Sequence, residues 1–178
     1  KGISFSRNIA IKKSNTKWIT FLDGDDKFNS IKINFKNNFN YIYDLIIFNN
    51  IVITEKSSKK SINYNYSGPL NYSKIKKLIK AYLKFPKGNS IITQSWSKFY
   101  KVKMLKSNKI FFNIKYNVYE DLMFVAEVFS KIKKINIDKR ILYIHYNLNE
   151  KRKYFYHVKS KKTGYKLALK KMSKLINN

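Results

Sequence analysis

Short apolar runs separated by polar segments predict several buried strands in this chain. Residues 18–22 and 45–54 are apolar and rich in β-branched side chains, as is typical of strands inside a sheet. Residues 135–137 and 141–146 have the same character, with a turn expected between them at 138–140. We therefore expect a sheet that contains these four strands.

Helical periodicity occurs between the apolar runs. Apolar positions recur with the spacing of a helix at 4–13, 73–85 and 120–130. The stretch 57–68 is polar and rich in Tyr, which indicates a loop, and the mixed pattern at 96–100 predicts no particular element. Because strands and helices alternate along the chain, we expect an α/β fold.

The last segment combines an apolar face with a basic face. One side of a predicted helix carries the apolar residues Tyr165, Leu169, Met172 and Ile176. The opposite side carries the lysines Lys166, Lys170, Lys171 and Lys174. Such a basic amphipathic helix is typical either of an ordinary surface helix or of a contact with an anionic membrane surface. We therefore divide the chain into a domain at 1–150 and a C-terminal helical tail at 151–178.

The composition indicates a folded protein with an unusual charge. Hydrophobic residues make up 44% of the 178 positions, which is too apolar for a disordered chain. No apolar run approaches the roughly 18 residues that span a membrane. Cysteine does not occur, so disulfides and thiolate metal sites are excluded.

The net charge of +28 has two interpretations. It indicates either an anionic partner or a compositional bias toward Lys, Asn and Ile. Nucleic-acid-binding proteins rely on Arg for forked contacts, and Arg occurs here only as Arg7, Arg140 and Arg152. The scarcity of Arg favours the bias.

Half of the ten acidic residues lie in two short clusters, which is unexpected in so basic a chain. The first cluster contains Asp23, Asp25 and Asp26, and the second contains Glu120 and Asp121. Like charges about 4 Å apart repel by roughly 1 kcal/mol in water and about 4 kcal/mol near a protein surface. A divalent cation would offset this repulsion, because hard cations prefer carboxylate oxygens. Taken alone, the first cluster is also typical of an acidic turn.

The predicted elements place both clusters where ligands commonly bind. The first cluster follows the strand at 18–22, and open α/β sheets bind ligands beyond the carboxyl ends of their strands. If that strand continues, Asp23 and Asp25 point the same way, and Gly24 lets the backbone approach a ligand closely. The second cluster begins a predicted helix, whose N-terminus favours carboxylates.

Four motifs, in order along the chain, resemble the GT-A domain of family 2 glycosyltransferases. The first acidic cluster resembles the family's Asp-x-Asp-Asp motif. The family's Gly-x-Ser-x-x-Arg-Asn segment is matched by Gly2, Ser4, Arg7 and Asn8. Its Trp-x-Lys-x-Tyr and Tyr-Glu-Asp-x-x-Phe segments are matched by Trp96, Lys98, Tyr100, Tyr119, Glu120, Asp121 and Phe124. The resemblance extends to about residue 146.

The resemblance implies a mixed sheet flanked by helices and an inverting, metal-dependent transfer of sugar from a nucleotide-sugar. It implies that Asp25 and Asp26 hold Mn²⁺ or Mg²⁺ against the donor diphosphate, and that Asp23 faces the ribose. Asp121 would be the general base that takes a proton from the acceptor, supported by Glu120. The implied donor-binding residues are Arg7, Asn8, Asp23, Asp25, Trp96 and Lys98. We expect a UDP-sugar, while GDP and dTDP donors stay open.

The resemblance also implies the acceptor, which would be a glycan or a lipid-linked hydroxyl, as in surface polysaccharide synthesis. The basic amphipathic tail and the charge of +28 would suit a cytoplasmic enzyme at the inner face of a bacterial membrane. The N-terminal nucleotide-binding strands of the family have no match here. We therefore expect an N-terminally truncated GT-A domain, inactive by itself, from a longer protein.

Two alternatives to this function stay open at the level of sequence. The chain could be a basic nucleic-acid-binding protein that uses its lysines and aromatic residues, although clustered carboxylates would repel phosphate. It could also be a non-catalytic fragment. Taken singly, Trp96 is typical of a core residue, and Glu120 and Asp121 are typical of a helix N-terminus. His145 and His157 lack the spacing of a pair of metal ligands.

Overall fold

The structure, a computed structural model, describes residues 2–29, 42–55, 60–62, 67–84, 92–116, 118–147 and 158–177. The helices are α1 (Ile3–Lys13), α2 (Tyr72–Lys84), α3 (Val102–Ser107), α4 (Glu120–Phe129) and α5 (Val158–Asn177). The strands are β1 (Trp18–Ile19), β2 (Lys27–Phe28), β3 (Leu45–Thr54), β4 (Lys60–Ile62), β5 (Gly68–Leu70), β6 (Lys98–Lys101) and β7 (Ile135–Asn147).

One mixed sheet contains all seven strands, in the order β1-β6-β3-β7-β2. The long strands β3 and β7 pair in parallel at its centre. The short strands pair antiparallel with their neighbours, β4 alongside β3 and β5 alongside β7. The fold is therefore the mixed α/β sheet flanked by helices that the sequence predicts.

Strand β7 carries a bulge where the sequence predicts a turn between two strands. Phe48 of β3 pairs with Asp138, and the next residue of β3 pairs with Ile141, so Lys139 and Arg140 are inserted. The Asp138 carboxylate accepts hydrogen bonds from the backbone and the guanidinium of Arg140, which stabilises the bulge. The two predicted strands are thus one strand, and the expected turn is wrong.

Alternate residues of β3 face two apolar clusters. Leu45 and Ile47 lie in the main core, together with most of α4, whereas Ile46 and Phe48 pack on the opposite face of the sheet. In the main core, the rings of Phe112 and Phe124 stack with their centroids 3.9 Å apart. A strand buried on both faces needs apolar residues at every position, which is why this run is continuous in the sequence.

Helix α5 packs against α2 and α4. Ala168 and Met172 are buried in the main core, and Lys171 forms an ion pair with Glu127 of α4. The predicted amphipathic helix is therefore confirmed, and its apolar face is covered by the rest of the domain. The boundary at 150 stays a prediction, because residues 148–157 lie outside the described part. No helix within the described ranges is long and apolar enough to cross a membrane.

Other predicted elements differ in extent. The strand expected at 18–22 forms only at β1. The loop expected at 57–68 is wrong at 60–62, which is β4, and the remainder up to residue 66 lies outside the described part. The stretch 96–100, left without a prediction, contributes most of β6. The predicted helices at 4–13, 73–85 and 120–130 are confirmed as α1, α2 and α4, with ends that differ by one residue.

Candidate active site

Helix α1 buries a charged residue on its inner face. Its buried positions are Ser4, Arg7 and Ile11, which follow one another at helical spacing. The Arg7 guanidinium lies 5.1 Å from the ring centroid of Phe112 and 5.7 Å from that of Phe21. These aromatic rings, together with nearby carboxylates, give the buried guanidinium favourable contacts.

The Arg7 guanidinium joins the two acidic clusters. Its two terminal nitrogens donate to Asp23 and to Asp121, each at 2.5 Å. Burial lowers the pKa of Arg7, but the charges of Asp121 and Asp23 outweigh it and raise that pKa above its ordinary value. Burial also raises the pKa of Asp23, although Arg7 acts in the opposite direction. One cation therefore neutralises carboxylates from both clusters.

Asp121 has a second partner in Ser95. The Ser95 hydroxyl donates to Asp121 Oδ1 at 2.9 Å, and the Ser95 backbone N–H donates to Oδ2 at 3.2 Å. Since Arg7 donates to Oδ1 as well, Oδ1 accepts two hydrogen bonds and Oδ2 accepts one from the described part of the chain. A carboxylate has about four lone-pair sites, so Oδ2 keeps capacity for one more donor.

The first acidic cluster is a turn, and its three carboxylates face different surroundings. The backbone N–H of Asp26 donates to the carbonyl of Asp23 at 3.1 Å, which closes the turn. Asp23 faces Arg7, Asp25 is exposed, and Asp26 is buried. The condition for Asp23 and Asp25 to point the same way, a strand that continues into the cluster, is not fulfilled, because β1 ends at Ile19. A Cβ on Gly24 would meet open space.

The Asp26 carboxylate is enclosed by donors of the protein. Its side chain is 0% exposed, and it accepts hydrogen bonds from the Tyr143 hydroxyl at 2.6 Å and the Tyr146 backbone N–H at 2.9 Å. His145 Nδ1 lies 3.1 Å from both of its oxygens. The Tyr143 hydroxyl in turn accepts from the Asp23 backbone N–H at 3.1 Å, so this network ties the turn to β7.

Trp96 and Lys98 are both buried in the interior of the protein. The Trp96 ring is 6% exposed and stacks on Tyr143 with a centroid distance of 4.5 Å. Lys98 is 1% exposed, and its ammonium donates to the carbonyl of Gln94 at 2.7 Å. Burial lowers the pKa of Lys98 to about 7, and the charge of Asp121 limits that decrease. The predicted donor contacts of Trp96 and Lys98 stay predictions.

Asn8 connects α1 to the backbone of Phe112. Its side-chain amide donates to the Phe112 carbonyl at 2.9 Å, and its carbonyl oxygen accepts from the Phe112 N–H at 2.8 Å. These two hydrogen bonds engage both polar atoms of the Asn8 side chain and attach the backbone at Phe112 to α1. The predicted donor role of Asn8 is therefore still a prediction, and its observed contacts are structural.

Two residues with a left-handed backbone lie within two positions of Ser95 and Asp121, which contact each other. Tyr119, immediately before α4, has φ of 65°, and Ser97, near Ser95, has φ of 57°. Left-handed conformations are costly for side chains of this kind and are enriched at functional sites. Glu120 begins α4, and burial together with the neighbouring Asp121 charge raises its pKa.

The implied metal ion fits these residues only with ligands from a substrate. Within the described ranges, no group of three His, Asp or Glu side chains could hold a metal ion. Asp26 has its oxygens occupied by protein donors, so Asp25 is the accessible carboxylate of the turn. One or two carboxylates are sufficient for Mg²⁺ when substrate phosphates supply other ligands.

Ser95, Tyr143 and His145 belong to the site, although the sequence does not single them out. Tyr143 and His145 are two apart on one strand, so they share a face, and this alternation was the available signal. Ser95 gave no signal, because its importance depends on a contact with a helix that is distant in sequence. The structure brings together Arg7, Asp23, Asp26, Glu120 and Asp121, and it leaves Asp25 at the surface.

Comparisons with known proteins identify relatives of the fold. No protein-family model and no curated protein sequence matches the chain. A crystal structure of S. aureus TarS 1-349 in complex with UDP-GlcNAc matches over 98% of this chain, with a TM-score of 0.71 and 13% identity. The complex of TarS 1-349 with UDP matches over 99%, with a TM-score of 0.66 and 15% identity.

The match covers only part of the length of each TarS structure. A further structure of TarS 1-349 matches over 82% of this chain, with a TM-score of 0.60 and 19% identity. The chain spans 40–51% of the length of these three structures. At this level of identity the comparison establishes the fold alone, so this chain has the mixed α/β, GT-A-like fold seen in the TarS structures.

Proposed function

We propose that this chain provides the catalytic part of a glycosyltransferase that moves a sugar from a nucleotide-sugar to a hydroxyl group. The proposal rests on the ion pairs of Arg7 with Asp23 and Asp121, which unite motifs from distant parts of the sequence at one partly buried site. The fold shared with TarS structures that contain UDP-GlcNAc and UDP supports a UDP-sugar as the donor.

In the proposed reaction, Asp121 is the general base. Its Oδ2, which accepts one hydrogen bond from the residues that the structure describes, takes the proton of the acceptor hydroxyl. The acceptor oxygen then forms a bond to the anomeric carbon while the bond to the donor diphosphate breaks, and the electron pair leaves with the diphosphate. A single base opposite the leaving group gives inversion at that carbon. Arg7 donates a hydrogen bond to Oδ1 of this base and orients it.

Asp25 is the proposed protein ligand of Mn²⁺ or Mg²⁺. Among the three carboxylates of the acidic turn it is the exposed one, and donor phosphates would complete the coordination. When bound, such an ion neutralises charge that develops on the leaving diphosphate. Asp26 has a different proposed task, which is to hold the turn on β7 through Tyr143 and Tyr146.

We further propose that the acceptor is a glycan or a lipid-linked hydroxyl at an anionic membrane surface. The exposed lysines of α5 support this setting, because Lys166, Lys170 and Lys174 lie on the face opposite the core. The apolar face of α5 is packed on α2 and α4, so the contact would be electrostatic and peripheral.

The test uses the complete gene product that contains this chain. Release of nucleoside diphosphate is followed with UDP-, GDP- and dTDP-sugars, with Mn²⁺, with Mg²⁺ and with EDTA, in the presence of glycan and lipid-linked acceptors. Asp121→Asn is compared with the control Glu55→Gln, which alters an exposed carboxylate at the end of β3. Metal-dependent release that Asp121→Asn abolishes and Glu55→Gln preserves would support the proposal.

The proposal fails if none of these donors binds when Mn²⁺ is present. In that case, binding to DNA or RNA is measured between 50 and 200 mM salt, values chosen because phosphate contacts weaken steeply over about this range. Strong salt-dependent binding without any affinity for nucleotide-sugars would favour the nucleic-acid alternative.

A further inference from the structure

The turn that carries Ser95 is held by side chains of the following strand. The Lys98 ammonium donates to the Gln94 carbonyl at 2.7 Å and lies 3.4 Å from the Trp96 carbonyl. The Tyr100 hydroxyl donates to the Ser95 carbonyl at 2.8 Å. Lys98 and Tyr100 are alternate residues of β6, so both reach the same side of the strand. Side chains of β6 thus contact the backbone carbonyls of three successive residues of the turn, 94–96.

The turn is also fixed to the centre of the sheet. Ser97 adopts a left-handed conformation with φ of 57°, and its hydroxyl donates to the Phe48 carbonyl at 3.1 Å. The Phe48 N–H donates to the Ser97 carbonyl at 2.9 Å. Ser95, Ser97 and Lys98 are all buried, so these bonds are protected from water. A buried and fully bonded turn keeps one geometry.

The result is a rigid contact with the proposed general base. The N–H and the hydroxyl of Ser95 donate to different oxygens of Asp121, which fixes the rotation of the carboxylate as well as its position. Arg7 approaches the same carboxylate from α1. Catalytic groups must be held close to their productive geometry by contacts of this kind.

We propose that Ser95 is the positioning residue for Asp121, and that Lys98 and Tyr100 act in the reaction only by holding the turn that presents Ser95. This inference rests on the proposed function, because it assumes that Asp121 is the general base. It assigns to Lys98 a task within the protein in place of contact with the donor.

The test measures kcat, the KM for the nucleotide-sugar, and Tm in the complete gene product. Ser95→Ala removes the hydroxyl hydrogen bond to Asp121 and leaves the backbone bond in place. We expect kcat to fall by roughly 10- to 100-fold, the loss typical of a hydrogen bond to a charged group, with KM close to wild type and a Tm lowered by no more than in Asn8→Ala. A variant that only weakens the fold would lower Tm and leave the kcat of the folded protein at the wild-type value.

Tyr100→Phe provides a second and milder variant, with Tyr82→Phe as its matched control. Each change removes one hydroxyl from a buried tyrosine of the main core, but Tyr82 lies on α2 and its hydroxyl bonds to Tyr165 of α5. Tyr100→Phe is expected to lower kcat by about tenfold, because the turn loosens. Tyr82→Phe is expected to leave kcat at the wild-type value.

Two results would overturn the inference, and they differ in what they say about the function. If Asp121→Asn abolishes transfer while Ser95→Ala and Tyr100→Phe keep the wild-type kcat, the positioning role is wrong and the general base stands. If Asp121→Asn itself keeps the wild-type kcat, the proposed base is wrong, and the positioning role fails with it.

Discussion

Arg7 and Asp121 form an ion pair of 2.5 Å although 114 residues separate them in the sequence. The same guanidinium binds Asp23, so α1, the acidic turn and the start of α4 meet at one charged group. The two carboxylates belong to different motifs of the predicted site. Because both carboxylates bind this one cation, replacement of Arg7 should affect both stability and activity.

Arg7→Met is expected to destabilise the protein by about 3–5 kcal/mol, because it leaves two partly buried carboxylates without their buried cation. The free energy of unfolding in urea measures this loss. Arg140→Met is the matched control, since the Arg140 side chain is 32% exposed against 9% for Arg7, and its pair with Asp138 should contribute about 1 kcal/mol or less. Equal losses in the two variants would show that the Arg7 contacts behave as a surface pair.

Glu120→Gln should make stability less dependent on pH. The folded-state pKa of Glu120 is raised above its ordinary value of 4.5 by burial and by Asp121. The ionised side chain therefore disfavours folding above this raised pKa, and the disadvantage disappears as pH falls below 4.5. We expect a higher Tm than wild type at pH 7, and a difference that closes toward pH 4.5.

Thermal unfolding between pH 4 and pH 8 checks this expectation; the range brackets roughly the values at which carboxylates titrate. The control is Glu55→Gln, an exposed carboxylate for which no such closing difference is expected. A Glu120→Gln variant that is less stable than wild type at pH 7 would contradict the argument.

Asp25→Asn and Asp26→Asn should separate metal binding from structure. Asp26→Asn introduces an amide among the donors of Tyr143 and Tyr146, and about 1–3 kcal/mol of stability should be lost. Asp25→Asn should keep the stability of wild type and weaken Mn²⁺-dependent binding of UDP by at least about tenfold. Unfolding in urea and calorimetric titration measure the two quantities. The opposite pattern would make Asp26 the metal ligand.

Asn8→Ala should lower stability without changing affinity for the donor. It removes both hydrogen bonds to the Phe112 backbone, at an expected cost of about 1–3 kcal/mol. Asn15→Ala, an exposed position in the loop after α1, should change stability by less than about 0.5 kcal/mol. If Asn8→Ala keeps its stability but loses affinity for UDP-sugars, the donor role implied by the sequence is correct.

Replacement of Lys166, Lys170 and Lys174 by Gln should weaken binding to vesicles that contain phosphatidylglycerol. Each lysine near an anionic surface contributes about 1 kcal/mol, so affinity should fall roughly 100-fold at low salt. In the control variant, Gln replaces Lys13, Lys103 and Lys109. These three lysines are exposed elsewhere on the domain. Equal losses in both variants would indicate that net charge alone governs the binding.

Much of the fold was predictable because it follows from local patterns. The continuous apolar run of β3 and the periodicity of α2, α4 and α5 identify these elements without their partners. The bulge in β7 was not predictable, since Asp138 and Arg140 are as typical of a turn as of a bulge. The short strands β4 and β6 depend on pairing with β3, and this pairing is non-local.

The sequence by itself determined which chemical groups are available: an apolar run before an acidic cluster, an Arg-Asn pair, and a Glu-Asp pair at the start of a helix. Only the tertiary structure decided how those groups are used. It directs Asp23 to Arg7, encloses Asp26 among donors of β7, leaves Asp25 exposed, and sets Ser95 against Asp121. The physical reason is that a carboxylate becomes a ligand, a base or a structural acceptor according to the donors that surround it, and most of these donors come from elements distant in sequence.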